Sequence, residues 1–383
     1  MATFVLAPDS FKESMSALEA CQAMQQAILA ADAQAKCILV PMADGGEGTL
    51  EAWLYACQGQ KVACQVQGPF ASQSIATYFA LIDQGKTAVI EMAKANGIEL
   101  LAPEQRNPLL TSTYGTGQML LQALDLGVSK VILGLGGSVT NDGGSGFAQA
   151  LGIEFLDTEQ RAIQVCGGNL HRITSVDLTH LDPRLKELEI VIASDVTNPL
   201  CGLNGASHIF GPQKGADTAM VAQLDANLQH YATMVQQAIG MDFANHAGAG
   251  AAGGLGFALM AFCGAQLQSG AELLMQQSNL AAKIQQADYV LTGEGKIDGQ
   301  TALGKTPFAV AQLAQGLNKP VIAFAGVVGD DTQTLYQHGF CQIIGINLAH
   351  ISQTEALQNA RHYLRQATTA WLKQQREAFF LLK

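Results

Sequence analysis

The chain has 383 residues, of which 48% are hydrophobic, 14% are charged and 40 are glycine. This length exceeds the roughly 250–300 residues at which one hydrophobic core stops growing, so we expect two domains, and the composition excludes a disordered protein. The net charge of −11 disfavours nucleic acid and anionic membrane surfaces as partners.

The N-terminal segment predicts two successive strand–loop–helix units. Thr3–Ala7 is a short apolar run typical of a buried parallel strand, and after a polar loop Ser16 and Glu19 have the spacing of a helix capping box. A strand at Cys37–Pro41, a loop at Ala43–Gly48 and a helix repeat this order. These units supply two parallel strands, which are too few for a stable sheet.

The C-terminal part predicts three further strands, each followed by a helical stretch. They lie at Asp288–Leu291, Pro320–Ala325 and Cys341–Ile346. Five parallel strands with right-handed crossovers form an ordinary doubly wound sheet. We therefore assign residues 1–67 and 287–383 to one Rossmann-like or flavodoxin-like α/β domain.

Residues 68–286 are then a second, glycine-rich α/β domain inserted into the first. Its predicted strands lie at Ala88–Glu91, Val131–Leu135 and Glu189–Ala193. The fold class is therefore α/β throughout.

Polar, glycine-containing loops follow three strands of the first domain. They are Asp9-Ser10-Phe11-Lys12, Asp44-Gly45-Gly46-Glu47-Gly48 and Gly293-Glu294-Gly295-Lys296-Ile297-Asp298. In an open parallel sheet, ligands bind beyond the carboxyl ends of the strands, where these loops lie. Carboxylates, lysines and glycine N–H groups are what phosphoryl transfer requires. One such loop alone is more typical of a tight turn, whereas three at one edge favour a phosphoryl-transfer site.

Two loops of the inserted domain are also rich in polar groups. In the loop 136–144, Ser138, Thr140 and the following helix N-terminus could hold an anion. In the loop 195–199, Asp195 is a candidate base or metal ligand, although turn and cap chemistry explains Asp195 and Asn198 equally well.

The cysteines and the N-terminus predict a cytoplasmic protein. The eight cysteines are scattered, without a Cys-x-x-Cys pair or a histidine at ligand spacing, which indicates reduced thiols. The first residues lack the basic start of a secretory signal. The uncharged segment 248–267 is long enough for a membrane span, but its many Gly and Ala residues favour a loop entering a buried helix.

Seven ordered motifs together resemble the bacterial glycerate kinase family, of the glycerate 2-kinase type. They are APDSFKESMSA (7–17), PMADGGEGT (41–49), GGSVTNDGG (136–144), SDVTNPLCGLNGAS (194–207), IFGPQKGA (209–216), GAGAAGGLGFAL (248–259) and TGEGKIDGQTALGK (292–305). The resemblance implies an ATP-dependent kinase that uses Mg²⁺ and converts D-glycerate to 2-phosphoglycerate. It implies small-molecule partners, glycerate and ATP, and no nucleic acid or membrane.

Three positions depart from the pattern of that family. Lys296 stands where the family usually has Arg, and Val139 and Ser194 stand where it often has Ala and Cys. Lysine is a point charge and cannot grip a carboxylate or phosphate in the forked manner of arginine, so we expect no bidentate contact from Lys296.

The resemblance and the loop positions together assign candidate site residues. The candidate catalytic residues, with Asp195 as acceptor of the glycerate hydroxyl proton, are Asp195, Lys12 and Asp9. The candidate substrate-binding residues are Ser10, Asn141 and Asn198. The candidate nucleotide-binding residues are Gly293, Glu294, Gly295, Asp298 and Lys305. The candidate metal ligands are Asp44 and Glu47.

Three other functions would account for parts of the sequence. A dinucleotide-dependent oxidoreductase is disfavoured because the first strand is followed by PDSFK and not by G-x-G-x-x-G. A non-catalytic two-domain binder of a small organic acid fits the architecture alone. A P-loop ATPase fits Gly299–Thr306, which matches G-x-x-x-x-G-K-[ST], but Gly293–Asp298 separates that motif from its strand and Pro307 places the helix start beyond Thr306.

Overall fold

The computed structural model describes residues 2–46, 48–303, 305–347 and 351–381. The strands within these ranges are β1 Thr3–Leu6, β2 Lys36–Leu39, β3 Gln60–Gln67, β4 Ser74–Ile82, β5 Thr87–Glu91, β6 Lys130–Gly134, β7 Glu154–Leu156, β8 Ser175–Asp177, β9 Glu189–Ala193, β10 Gln266–Gln268, β11 Tyr289–Ile297, β12 Val321–Val328 and β13 Phe340–Gly345. The α-helices within them are α1 Ala17–Ala31, α2 Thr49–Ala56, α3 Ala93–Asn96, α4 Tyr114–Asp125, α5 Ser145–Ala150, α6 Ala206–Phe210, α7 Thr218–Ile239, α8 Ala251–Cys263, α9 Gly270–Gln277, α10 Leu280–Gln285, α11 Thr306–Gly316, α12 Gln353–Gln358 and α13 Ala360–Leu381.

The chain divides into two compact units. The first comprises Met1–Asp44, Glu51–Gln58 and Ala271–Lys383, and the second comprises Gly45–Leu50 and Gly59–Gly270. These limits differ from the predicted boundaries at 67/68 and 286/287. Strand β3 pairs along its whole length with β4 and lies in the second unit, whereas α10 lies in the first.

The first unit contains a five-stranded sheet in the order β2-β1-β11-β12-β13, with every neighbouring pair parallel. Numbered within the unit, this is the 2-1-3-4-5 order of flavodoxin-like folds. The prediction of a parallel sheet built from both chain ends is therefore confirmed. The strand order reverses between β1 and β11, so the topological switch point lies between their carboxyl ends.

The central strands of this sheet are buried on both faces. Phe4–Leu6 of β1 and Val321–Ala325 of β12 are at most 5% exposed. Since successive side chains point to opposite faces of the sheet, helices must cover both faces. On one face α1 packs against α13. Helix α1 begins at the predicted capping box, in which Glu19 N–H donates to Ser16 Oγ and Ser16 N–H donates to Glu19 Oε2.

Strand β11 is longer than predicted. It continues to Ile297, and its last residues pair with β12, Glu294 opposite Ala325 and Lys296 opposite Val327. The stretch Gly293–Lys296, expected to be a loop, is therefore strand. Backbone pairing with β12 outweighs the low strand propensity of its glycines.

The second unit contains a six-stranded mixed sheet in the order β10-β9-β6-β5-β4-β3. Strands β5, β6, β9 and β10 are parallel, while β3 and β4 continue the sheet in antiparallel fashion. Strands β5, β6 and β9 were predicted, whereas β10 and the β3–β4 hairpin were not. A separate two-stranded ribbon pairs β7 with β8.

The glycine-rich segment of the second unit enters helix α8, as predicted. Ala252, Gly253 and Gly254 have φ angles of 52°, 67° and 97° before the regular turns of α8 begin. Gly253 accepts a hydrogen bond from the N–H of Gly143 at 2.9 Å. Across the described ranges no helix combines the length and apolarity needed to cross a membrane. The cysteines all lie in those ranges and are all free thiols.

The close approach at Gly253 gives a test of this packing. A Cβ atom there would overlap the carbonyl oxygen of Thr140, in addition to the left-handed φ. We expect Gly253→Ala to lower the free energy of unfolding by about 3 kcal/mol or more, because backbone must move to relieve the overlap.

Gly240→Ala is the matched control, because Gly240 has φ +78° at the end of α7 but no atom within 4 Å of a built Cβ. We expect Gly240→Ala to lower the free energy of unfolding by only about 1 kcal/mol, the strain of a left-handed backbone at a residue other than glycine. Urea unfolding of both variants measures the difference, and equal losses would contradict the packing argument.

Candidate functional site

A cavity of about 630 Å³ lies at the switch point of the first unit's sheet. This volume is in the range of small-molecule sites. Its lining residues are Asp9, Ser10, Phe11, Lys12, Glu13, Ser14, Asp44, Glu294, Gly295, Lys296, Lys305, Gly326, Val327, Ile346, Asn347, Ile351, Gln353, Ala356, Leu357 and Ala360. The structure thus brings together seven of the predicted site residues: Asp9, Ser10, Lys12, Asp44, Glu294, Gly295 and Lys305.

The loop after β1 presents Lys12 to this cavity. Phe11 and Met15 are buried and exchange two backbone hydrogen bonds of 2.9 and 3.0 Å, which close the loop on the core. Glu13, at its tip, has a φ of 63°, an uncommon conformation for a residue other than glycine. Lys12 is exposed, and no residue that the structure describes pairs with its ammonium group. Lys12 therefore offers a cation to a ligand.

Asp9 lies at the bottom of the cavity and is held by two donors. Thr306 Oγ1 donates to its Oδ2 at 2.7 Å, and the N–H of Ser10 donates to its Oδ1 at 2.6 Å. Burial and the neighbouring Asp44 carboxylate nevertheless raise the pKa of Asp9. The negative charge of Asp9 is thus undercompensated in the absence of a ligand.

Glu294, at the carboxyl end of β11, is held from the following segment. Thr301 Oγ1 donates to its Oε1 at 3.0 Å, and Lys305 Nζ lies 3.3 Å from its Oε2. Burial raises the pKa of Glu294 although the Lys305 charge opposes the rise. Lys305 Nζ also donates to the carbonyl of Lys296 at 3.3 Å.

Gly293 and Asp298, both predicted to bind nucleotide, do not line the cavity. Gly293 lies within β11, where a Cβ atom would overlap the carbonyl oxygen of Phe324. Close packing of β11 against β12 therefore explains why this residue is glycine. Lys296 Nζ forms an ion pair with Asp298 Oδ2 at 2.7 Å, and this contact lowers the pKa of the Asp298 carboxyl group. Its Oδ1 also accepts the N–H of Gln300 at 3.0 Å.

The predicted metal site is only partly described. Asp44 lines the cavity beside Asp9, whereas Glu47 lies outside the described residues. Among the residues that are described, no three His, Cys, Asp or Glu side chains form a preformed metal cluster. The acidic groups at the cavity are therefore spread along three segments of chain.

The segment that matches the P-loop motif has a backbone conformation unlike that of a P-loop. Gly299–Leu303 is a short 3-10 helix, and Gly299 N–H donates to Asp331 Oδ1 at 2.9 Å. Gly304 is outside the described residues, and α11 begins at Thr306. Strand β11 ends at Ile297, so only Asp298 separates it from Gly299, and the predicted separation by a loop at Gly293–Asp298 is wrong. The predicted helix start beyond Thr306 is also wrong, because α11 begins at Thr306. What differs from an open phosphate-binding loop is the 3-10 helix at Gly299–Leu303.

The candidate residues of the second unit differ in accessibility. Asp195 is exposed directly after β9. Asn198 is partly buried, and its Nδ2 donates to the carbonyl of Asn204 at 2.8 Å. Asn141 is fully buried, and its Nδ2 donates to Ser207 Oγ at 2.9 Å. Asn141 therefore supports the loop 136–144 from within.

The sequence did not single out Lys214, a buried lysine of the second unit. Its Nζ donates to Ser138 Oγ at 2.8 Å and to the carbonyl of Thr140 at 2.7 Å. Burial lowers the pKa of Lys214 to about 7. The signal available was its place in IFGPQKGA (209–216), but burial of a lysine cannot be read from that motif. Lys214 fixes the Ser138–Thr140 turn.

A second cavity of the first unit, about 450 Å³, lies between β13 and α13. It is lined by residues such as Tyr336, Tyr363 and Trp371, and none of its lining residues is charged. Phosphorylated ligands need cationic or N–H donors, so the cavity at the switch point fits phosphate chemistry better.

Comparisons with known proteins bear on the whole chain. The family model described as "Glycerate kinase family" matches residues 4–375. A glycerate kinase of Haemophilus influenzae is 47% identical over 343 residues, covering 90% of each chain. The glycerate 2-kinase of Escherichia coli K12 is 47% identical over 356 residues, covering 93% of each. A crystal structure from Salmonella typhimurium LT2, provisionally named glycerate kinase 2, superposes with a TM-score of 0.86 at 42% identity, covering 98% of this chain and 99% of its own.

The family match extends over almost the entire sequence, and the resemblance predicted from the motifs is confirmed. A kinase of this family takes its phosphoryl group from ATP. This chain belongs to the glycerate kinase family.

Proposed function

We propose that this protein transfers the γ-phosphoryl group of ATP to the 2-hydroxyl of D-glycerate, and that the cavity at the switch point binds the nucleotide. The observation that carries the proposal is the meeting of Lys12, whose ammonium group pairs with no residue in the described ranges, with three carboxylates that follow β1 and β2 or lie near the carboxyl end of β11. Ligands of open parallel sheets bind at this position. The relatives named glycerate kinase and glycerate 2-kinase support the substrate and the hydroxyl.

Two lysines are proposed to bind the nucleotide phosphates. Lys12 is exposed at the cavity, and Lys305 lines it while paired with Glu294. Gly295 has no side chain, and a Cβ built on it would meet no atom closer than 3.5 Å, so its backbone is open to a ligand. Positive charge and backbone N–H groups stabilise the charge of the transferring phosphoryl group.

The carboxylates fit a magnesium ion by their chemistry. Asp9 and Glu294 have raised pKa values because buried negative charge there lacks sufficient compensation. Mg²⁺ prefers oxygen ligands and is commonly held by one or two carboxylates together with substrate phosphates. We propose that Asp9 and Asp44 are those carboxylates, with Glu47 adding to them. The ion, when bound, neutralises charge on the β- and γ-phosphates.

Asp195 is proposed to accept the proton of the glycerate hydroxyl, because its carboxylate is exposed at the carboxyl end of β9. Ser10, Asn198 and Asn141 are proposed to contribute to glycerate binding, Asn141 through the loop it supports. The free thiols support a reducing compartment such as the cytoplasm as the place of action. Release of ADP that depends on D-glycerate tests the activity, and NMR of the product identifies the phosphorylated hydroxyl.

Removal of the unpaired lysine is the first prediction. We expect Lys12→Ala to lower kcat/KM at least about a hundredfold, since a cation facing phosphates contributes several kcal/mol to transition-state stabilisation. Lys36→Ala, an exposed lysine of β2 outside the cavity, is the control and should keep near-normal kinetics. Normal turnover of a folded Lys12→Ala protein would remove the β1 loop from the reaction.

The second prediction concerns the metal. We expect no activity in excess EDTA and full recovery when Mg²⁺ or Mn²⁺ is added in excess of the chelator, because the carboxylates bind a hard cation weakly without substrate. Metal analysis after dialysis should find less than one equivalent. Full turnover in EDTA would contradict a metal-assisted transfer.

The third prediction separates this site from a P-loop. A side chain at Gly299 would press on the carboxylate of Asp331, which is exposed and can move. We therefore expect Gly299→Ser to keep kcat/KM within about threefold, while Lys305→Ala loses about a hundredfold or more because the phosphates lose a cation. Kinetics with ATP and D-glycerate compare the two folded variants. Severe loss in Gly299→Ser would support a P-loop instead.

A further inference from the structure

The cavity at the switch point has a polar end and an apolar end. Its charged residues come from the loops after β1 and β2, from β11 and from Lys305. Apart from Phe11 in the loop after β1, its apolar residues come from the ends of β12 and β13 and from the segment that leads into α13: Val327, Ile346, Ile351, Ala356, Leu357 and Ala360. Because the sheet order is β2-β1-β11-β12-β13, most charged residues lie on the β2 and β1 side and most apolar residues on the β13 side, while Lys296 of β11 is paired with Val327 of β12.

Val327 is an exposed apolar residue near the end of a strand whose first five residues are buried. The residues from Val321 to Ala325 are at most 3% exposed, whereas Val327 is 52% exposed and lines the cavity. Beside it, Gly326 leaves the strand surface flat, since a Cβ there would lie 2.6 Å from the carbonyl oxygen of Gly295. A flat surface that carries the apolar Val327 side chain suits a planar ring.

Asn347 adds a hydrogen-bonding group at the apolar end. Its Nδ2 donates to the carbonyl of Gly326 at 2.7 Å, which fixes the orientation of the amide. Its Oδ1 is buried and has no hydrogen-bond partner among the residues that the structure describes. A buried acceptor without a donor costs about 1–3 kcal/mol, so a ligand that donates a hydrogen bond here is favoured.

We propose that the apolar end of this cavity is the base subsite for the nucleotide, and that Asn347 selects adenine. The ring lies against Val327 and Leu357, and Asn347 Oδ1 accepts a hydrogen bond from the exocyclic amino group of adenine. Guanine carries a carbonyl oxygen at that position, which would face Oδ1 acceptor to acceptor. This inference rests on the proposed nucleotide site, and it adds which end of the cavity takes the base.

The steric and polar character of the subsite is tested with Val327→Asp. A carboxylate on the ring surface should raise KM for ATP at least about tenfold and change KM for D-glycerate by less than about twofold. Val328→Asp is the matched control, since Val328 is the next residue of β12, is 37% exposed and does not line the cavity. It should leave both constants within about twofold. An unchanged KM for ATP in folded Val327→Asp would overturn the inference.

Two ligands that each correspond to one part of ATP test the two ends of the cavity independently. Adenosine and inorganic tripolyphosphate should both inhibit the wild-type enzyme in competition with ATP. Val327→Asp should weaken inhibition by adenosine at least about tenfold and leave inhibition by tripolyphosphate unchanged. Lys305→Ala should weaken inhibition by tripolyphosphate at least about tenfold and leave inhibition by adenosine unchanged. Adenosine that fails to inhibit, or that inhibits both variants equally, overturns the base subsite although ATP-dependent activity remains. Absence of any ATP-dependent phosphorylation of D-glycerate would instead refute the proposed function.

Base selection is tested at Asn347. Asn347→Leu removes the acceptor, and we expect the preference for ATP over GTP, measured as a ratio of kcat/KM values, to fall at least about tenfold. An unchanged ratio in folded Asn347→Leu would show that Asn347 does not recognise the base.

Discussion

The partly buried carboxylate of Asp9 is the constraint on which the site of the first unit depends. Two hydrogen bonds hold this carboxylate beside that of Asp44, and the pKa of Asp9 rises from 3.8 to about 7. The folded state then binds more protons than the unfolded state between these values, so stability contributed by Asp9 is present at low pH and falls as pH rises through about 4 to 7. A cation bound between the two carboxylates would reverse this cost at neutral pH. The site is thus built to be completed by its ligand.

Much of this arrangement could be predicted from sequence because it follows local rules. The capping box at Ser16 and Glu19 fixes where α1 begins, and with it the length of the loop that carries Lys12. Five apolar runs predicted the five parallel strands, and the rule that ligands bind at their carboxyl ends then placed the polar loops together. The same reasoning placed Asp9, Lys12, Asp44 and Glu294 at one edge, where the cavity lies, and also Asp298, which does not line it.

The parts that escaped prediction depend on tertiary pairing. Gly293–Lys296 has the composition of a turn, and only pairing with β12 makes it strand. Strand β3 carries polar residues at most exposed positions, so it resembles a surface loop until β4 pairs with it. Lys214 is typical of a solvated residue, and its burial depends on the oxygens of Ser138 and Thr140, far away in sequence. None of these partners can be identified from a single sequence.

Lys296, one of the three positions expected to differ from the family pattern, shows how a local contact limits a side chain's function. Lys296 has its ammonium group 2.7 Å from Asp298 Oδ2, and its side chain is 62% exposed. An exposed ion pair of this kind contributes about 0–1 kcal/mol, and a single N–H donor is enough to form it. A forked guanidinium would add contacts only if a second acceptor were in reach. Lys296 is therefore engaged with Asp298 through one ammonium contact, whereas Lys305 is paired with Glu294 at the cavity.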